Sequence, residues 1–274
     1  MRKPQFRARG PHIPPLDGVV QYPFEPGYVV FTQPTAKRLR VQVGDIMIAD
    51  TTRALMLWET EHLPVYYFPL ADIRMDLMTA TGHASQCPYK GTARYYTVAA
   101  GGKAIENIMW QYPDPIPGCP PIADYGSFYW TKADHWYEED EEVFVHARDP
   151  YRRIDCLASS RQVQIYVRGV LVADSSRAVF LYETGLPTRF YLPPEDVRAD
   201  ILAASEHRTS CPYKGRASYW HVVVNGQRHE NLIWFYAETR AEVAPIRGRL
   251  AFYNEKVDRI LLDGEELPRP APVA

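Results

Sequence analysis

Two five-residue words put a thiol, a phenol and an amine within one turn of chain: Cys87-Pro88-Tyr89-Lys90-Gly91 and Cys211-Pro212-Tyr213-Lys214-Gly215. A cysteine beside a cation can act as a nucleophile, and Cys211 has Lys214 and His207 near it in sequence. It can equally be a small buried hydrophobe next to proline. Lys214 can hold an anion or move protons if it is desolvated, or it can pair with Glu183 or Asp196. Tyr213 can donate to a developing charge or fill a core. Glu183 closes an apolar run, Ala178 to Tyr182, where a carboxylate must be paired or tuned for acid–base work. Arg177 follows a turn containing Asp174 and Ser175. It can clamp a carboxylate or phosphate, or bond Asp174 or a carbonyl. His207 sits in a polar stretch read as a loop. Trp234 and Tyr236 alternate as on a strand face, as core or as pocket wall.

The words recur because the chain is a duplication. Shifted by 124 residues, Thr35–Thr60 aligns with Ser159–Thr184 without a gap, and 24 of the 65 positions from Asp72 to Trp136 are identical to those from Asp196 to Ile260. A compensating slip falls near Leu63-Pro64 and Leu186-Pro187. The first copy therefore offers its own set: Glu59, Lys90 and Tyr89 for catalysis, Arg53 and Trp110 for binding. In the second copy Glu183, Lys214 and Tyr213 are the catalytic candidates. Arg177, His207, Cys211, Tyr219, Trp234 and Tyr236 are the substrate-binding ones.

The surrounding elements read as mainly β. Leu39, Val41 and Val43 alternate with polar residues, Gly44-Asp45 turns the chain, and Ile46–Ile48 follows. Val163, Ile165 and Val167 repeat the pattern. Asn225-Gly226 is a hairpin signal. One short helix per copy is expected. The second runs from Pro193-Pro194 to Ala204, with Val197, Ile201 and Leu202 on one face; Ile73, Leu77 and Met78 match in the first. The expected fold is mainly β (α+β), two small tandem barrels or sandwiches each with one helix. Domains are placed at 19–142 and 143–268, between a Pro-rich segment 1–18 and a tail 269–274, both read as poorly ordered. The acidic run Glu138–Glu142, with Asp149-Pro150 after it, reads as solvated linker.

The second copy resembles the DUF427 family, a group of small bacterial and fungal proteins whose function is unknown. The matching words are Val172-Ala-Asp-Ser175, Leu186-Pro187, Pro193-x-x-Asp-Val197, Cys211 to Gly215 followed by Ala217-x-Tyr-Trp220, Trp234-x-Tyr236 and Ala251-Phe-Tyr253. The resemblance covers almost the whole chain outside its termini. It implies a compact β-rich fold similar to the β-tent group. The first copy departs with Thr51 for Ser, an extra residue near His62 and Tyr96 for Trp, so the second is the expected active copy. Many β-tent proteins bind zinc through cysteine pairs, which are absent here, so no metal is carried over. The family also has a nucleotidyltransferase-like label. That chemistry wants Gly-Ser followed by an Asp-x-Asp for Mg²⁺. Gly126-Ser127 has no such sequel, and the second copy has Leu250-Ala251.

A net charge of −2 provides no general attraction to nucleic acid or anionic lipid. No apolar run spans a membrane, and the N-terminal stretch lacks a signal-peptide core. Single cysteines at equivalent places argue for reduced thiols and an intracellular, cytoplasmic protein. No dinucleotide fingerprint is present, and no cofactor is expected. Three functions remain: a cofactor- and metal-independent enzyme using acid–base chemistry on a small anionic or carbonyl-bearing molecule, a duplicated binding module for a small ligand or peptide, and a partner-binding protein. For these functions Arg177, Glu183 and Lys214 are expected to converge on one pocket per copy.

Overall fold

Alternating apolar residues build the first unit's smaller sheet. Leu39, Val41 and Val43 of the strand Leu39–Val43 are buried, with half-buried residues between them, so one face of the strand is committed to a core. The computed structural model describes residues 20–22 and 25–271. The chain divides after Asp149 into two compact units.

In the first unit Leu39–Val43 pairs with Ile46–Thr51 and with His135–Glu138, which pairs in turn with Glu141–Glu142. The larger sheet has eight antiparallel strands, Met78–Cys87 at one edge and Val20–Tyr22 at the other. The second unit repeats the plan with a seven-stranded sheet and a four-stranded one. Its main core lies between the two sheets: Val163, Ile165 and Val172 from the smaller meet Phe180, Leu192, Val222, Ile233 and Phe252 from the larger. The sheets stay open, so the mainly-β, tandem-domain expectation holds but no barrel closes.

No helix longer than two turns forms among the described residues. The expected helix after Pro193-Pro194 is two single 3₁₀ turns, Pro194–Asp196 and Ala199–Ile201. Between them Val197 is extended, buried, and bridged to Ala173. The Arg198 amide donates to the Val172 carbonyl at 3.0 Å. Tertiary pairing has captured the apolar residues that read as a helix face. From Leu202 the chain is a strand, Leu202–Cys211, and His207 lies in it beside a bulge rather than in a loop.

The acidic run is no linker. Glu138 is 4% exposed, and it accepts from Lys37 at 2.6 Å, Arg148 at 2.8 Å and the Tyr66 hydroxyl at 2.8 Å. Residues 143–149 continue the first unit, with Val143 and Ala147 buried in it. The segment 1–18 lies outside the described residues, as do the last three residues of the tail. No helix among the described residues is long and apolar enough to cross a membrane.

Candidate functional site

The larger sheet's second face, turned away from the smaller sheet, carries its own cluster. In the second unit this is Val179, Leu181, Tyr191, Ala217, Tyr219, Trp234, Tyr236 and Ala251, closed by Val243 and Ile246 from the 3₁₀ segment Ala241–Ile246. Glu183 ends the strand Val179–Glu183 on the same alternation as Val179 and Leu181, so it reaches this face.

Cys-Pro-Tyr-Lys-Gly is the turn of a hairpin. Leu202–Cys211 and Gly215–Val224 pair, with Cys211 opposite Gly215. The Lys214 amide donates to the Cys211 carbonyl at 3.3 Å. Gly215 has φ +112°, and a Cβ there would meet the Glu238 carbonyl oxygen at 3.1 Å, which explains the glycine of the word. The covering segment is fastened to the same turn: the Arg240 amide donates to the Lys214 carbonyl at 3.3 Å.

This turn delivers Lys214 to Glu183, 31 residues away in sequence, as a buried ion pair. Lys214 is 8% exposed and Glu183 7%. Glu183 also accepts from Arg152 Nη1 at 2.9 Å, and the Arg152 guanidinium lies 5.6 Å from the centre of the Tyr213 ring. Lys214 Nζ is 4.0 Å from Cys211 Sγ. Around the pair stand neutral phenols. Burial pushes the Tyr191 and Tyr236 hydroxyls far above the ordinary phenol value. Tyr191 accepts from Trp234 Nε1 at 2.9 Å, and Tyr219 shares a 2.7 Å hydrogen bond with Thr209. Burial also raises the Cys156 thiol, with Lys214 opposing. His207 is exposed, its ring against Tyr219 at 4.6 Å.

The first unit repeats the pair. Lys90 bonds Glu59, on a turn whose Lys90 carbonyl accepts from Ile116 at 3.2 Å. Here the second donor to Glu59 is the Tyr28 hydroxyl at 2.7 Å, and the Tyr28 ring stacks on Tyr89 with centroids 3.5 Å apart. Burial, with Glu59 adding to it, raises that hydroxyl far above its ordinary value. Trp110 donates to Tyr67 at 3.2 Å. The Cys119 thiol is pushed up to about 11 by burial, with Lys90 opposing.

Arg177 does not join the pair. It bonds Asp196 and approaches Glu195, with its side chain 60% exposed. Asp196 also accepts from Ser175 at 2.6 Å, and the Ser175 hydroxyl accepts from the Arg177 amide. Arg53, Asp72 and Thr51 make the same clamp in the first unit. The strand Val179–Glu183 separates Arg177 from Glu183, about 13 Å of extended chain at its usual rise. The partner of Arg177 is thus Asp196, and the sequence-expected convergence of three groups reduces to two.

The residues the sequence reading missed are Arg152 and Tyr28, which occupy equivalent positions 124 apart. The gapless alignment starts only at Thr35, so the substitution passed unnoticed. Arg189 and Glu255 were also missed. They pair at 2.6 Å beside the Trp234 ring and correspond to Val65 and Thr131, which offer no such pair. Among the described residues no group of three or more His, Cys, Asp or Glu is gathered for a metal ion.

Two open antiparallel sheets with an ion pair set into the outer face of the larger one, present twice, define a tandem mainly-β protein. The family model described as "Domain of unknown function (DUF427)" matches residues 31–139 and again 155–263. The chain belongs to that family as a duplication of its domain. None of the curated proteins compared with the chain matches it. Tyr28 and Arg152 each lie three residues ahead of a matched stretch.

Proposed function

We propose that the Lys–Glu pair of each unit is the centre of an acid–base site for a small organic molecule bearing an anionic or carbonyl group, with the second unit the more active. The observation that carries this reading is the pair itself: a lysine and a glutamate 31 residues apart, bonded at equivalent places in both units, buried in the second and largely buried in the first. Buried ion pairs contribute little net stability, and apolar residues of similar volume serve the fold as well or better. Their value is chemical. Glu183 accepts a proton, Lys214 supplies one or stabilises developing negative charge, and the neutral Tyr191 and Tyr236 hydroxyls keep the surroundings uncharged. Tyr213 forms a wall with Arg152 against it. Arg152 takes the anion-holding role expected of Arg177.

Metal-independent chemistry is supported by the donor set. Glu183 is already held by two cations, which oppose the approach of a divalent ion. A nucleotidyl-transfer reading gains nothing from Gly126-Ser127: Ser127 is fully buried within the strand Tyr125–Phe128. The net charge of −2 favours a small ligand over nucleic acid or a lipid surface, and single unpaired thiols suit a cytoplasmic protein.

The test is a panel of small carboxylates and carbonyl compounds screened by thermal shift, each hit followed for turnover by NMR. Binding with turnover that is lost in Glu183→Gln and in Lys214→Met, both still folded by circular dichroism, supports the enzyme. Binding that survives both substitutions without turnover replaces it with the binding module.

A further inference from the structure

Among the described residues, the lysine of the repeated word hydrogen-bonds the cysteine of that word in the second of the two units alone. In the second, the three-residue turn Pro212-Tyr213-Lys214 folds Lys214 back so that Nζ lies 4.0 Å from Cys211 Sγ while it also bonds Glu183. A thiol, an amine and a carboxylate thus stand in a chain, the amine oriented by the carboxylate, as an activated nucleophile requires. Cys211 is half-buried, whereas Lys214 and Glu183 are under one tenth exposed, so Cys211 is the most exposed member of the chain. Cys156, the unit's other thiol, has its thiolate disfavoured by burial. In the first unit the same turn brings Lys90 to Glu59 without a Lys90–Cys87 hydrogen bond among the described residues.

We propose that Cys211 is the covalent nucleophile of the second unit's site and that the substrate is an electrophilic carbonyl compound. This rests on the acid–base reading above and specifies its first step. The Cys211 thiol releases its proton to solvent, and its sulfur lone pair forms an S–C bond to the carbonyl carbon. The C=O π pair moves onto oxygen, which takes a proton from Lys214 Nζ. Glu183 remains paired with Arg152 while Lys214 is neutral, and Lys214 then regains a proton from solvent. The product is a hemithioacetal on Cys211, with no oxidant or reductant consumed.

The full chain supplies its own control, because Cys87 occupies the same turn without the lysine hydrogen bond among the described residues. Reacted with iodoacetamide at about pH 7 and followed by peptide mass spectrometry, Cys211 is expected to alkylate about tenfold or more faster than Cys87. Lys214→Met is expected to bring the Cys211 rate to within about twofold of Cys87 and to leave Cys87 unchanged. Lys214→Arg, which keeps a cation on a similar stem, should retain most of the difference. Equal rates for Cys211 and Cys87 in the unsubstituted protein overturn the proposal. So does a fast Cys211 indifferent to Lys214→Met. Alkylation needs no substrate, so this failure removes the nucleophile alone and leaves the acid–base reading to the binding and turnover screen.

Discussion

Lys90→Met is expected to cost the first unit more than Lys214→Met costs the second. Each lysine is almost fully buried and bonded to a carboxylate, buried at Glu183 and 12% exposed in its side chain at Glu59. Removing Lys90 leaves Glu59 with one donor among the described residues, the neutral Tyr28 hydroxyl. Removing Lys214 leaves Glu183 bonded to the Arg152 guanidinium at 2.9 Å. A buried charge stripped of its only cation costs about 3–5 kcal/mol. A carboxylate that keeps one charge-assisted bond loses about 1–3 kcal/mol. The difference is therefore roughly 2 kcal/mol, or about thirtyfold in the unfolding equilibrium. Pulse proteolysis across a urea series, with peptides of each unit quantified by mass spectrometry, reads the two units separately. Glu59→Leu combined with Lys90→Met should recover much of the loss, because no charge is then left buried. The reasoning is refuted if Lys214→Met costs as much as Lys90→Met, or if Lys90→Met costs under about 1 kcal/mol.

Acid should destabilise the first unit through Glu138. Burial alone would raise that carboxyl, but Lys37 and Arg148 outweigh it and hold it below its ordinary value of 4.5. A folded value below the unfolded one means stability that is fully present above about pH 5 and lost as pH falls through the carboxylate range, because the unfolded chain takes up the proton first. Urea midpoints of Glu138→Gln should be lower at neutral pH and flatter below pH 5; an unchanged acid limb would count against this assignment. Ser127→Ala should raise the first unit's stability by about 1 kcal/mol, since the Ser127 hydroxyl is fully buried without a partner and Ala251 stands at the equivalent place. A thermal midpoint lower than that of the unsubstituted protein would contradict it. Gly215→Ala should cost about 1–3 kcal/mol, from φ +112° and the Cβ contact with the Glu238 carbonyl, read as a lower urea midpoint for the second unit.

Duplication, mainly-β character and the strand pattern were legible in the sequence because they depend on local periodicity. Leu39, Val41 and Val43 announce their buried face by alternation alone, and Asn225-Gly226 announces its turn, since both residues there have positive φ. Asn107 and Asn231 stand at equivalent places in the two copies, and in the structure each takes the left-handed conformation beside a bulge, which asparagine tolerates. The helix reading failed because Val197 and Ile201 sit at helical spacing but are buried by two separate turns, with the bridge to Ala173 decided by a strand 24 residues earlier in the sequence. The site divides the same way. Glu183 was chosen as a charge in apolar company and Lys214 as part of a repeated word, both of which sequence displays. Arg177 was chosen from the polar turn before it and belongs elsewhere, because which carboxylate an arginine meets depends on the end of the strand it occupies. Arg152 has no local signature at all. It reaches Glu183 only because the strand Ile154–Ala158 pairs with Val179–Glu183 and sets Ile154 opposite Glu183. Local sequence fixes which residues are buried; the non-local pairing of strands decides which buried charges meet.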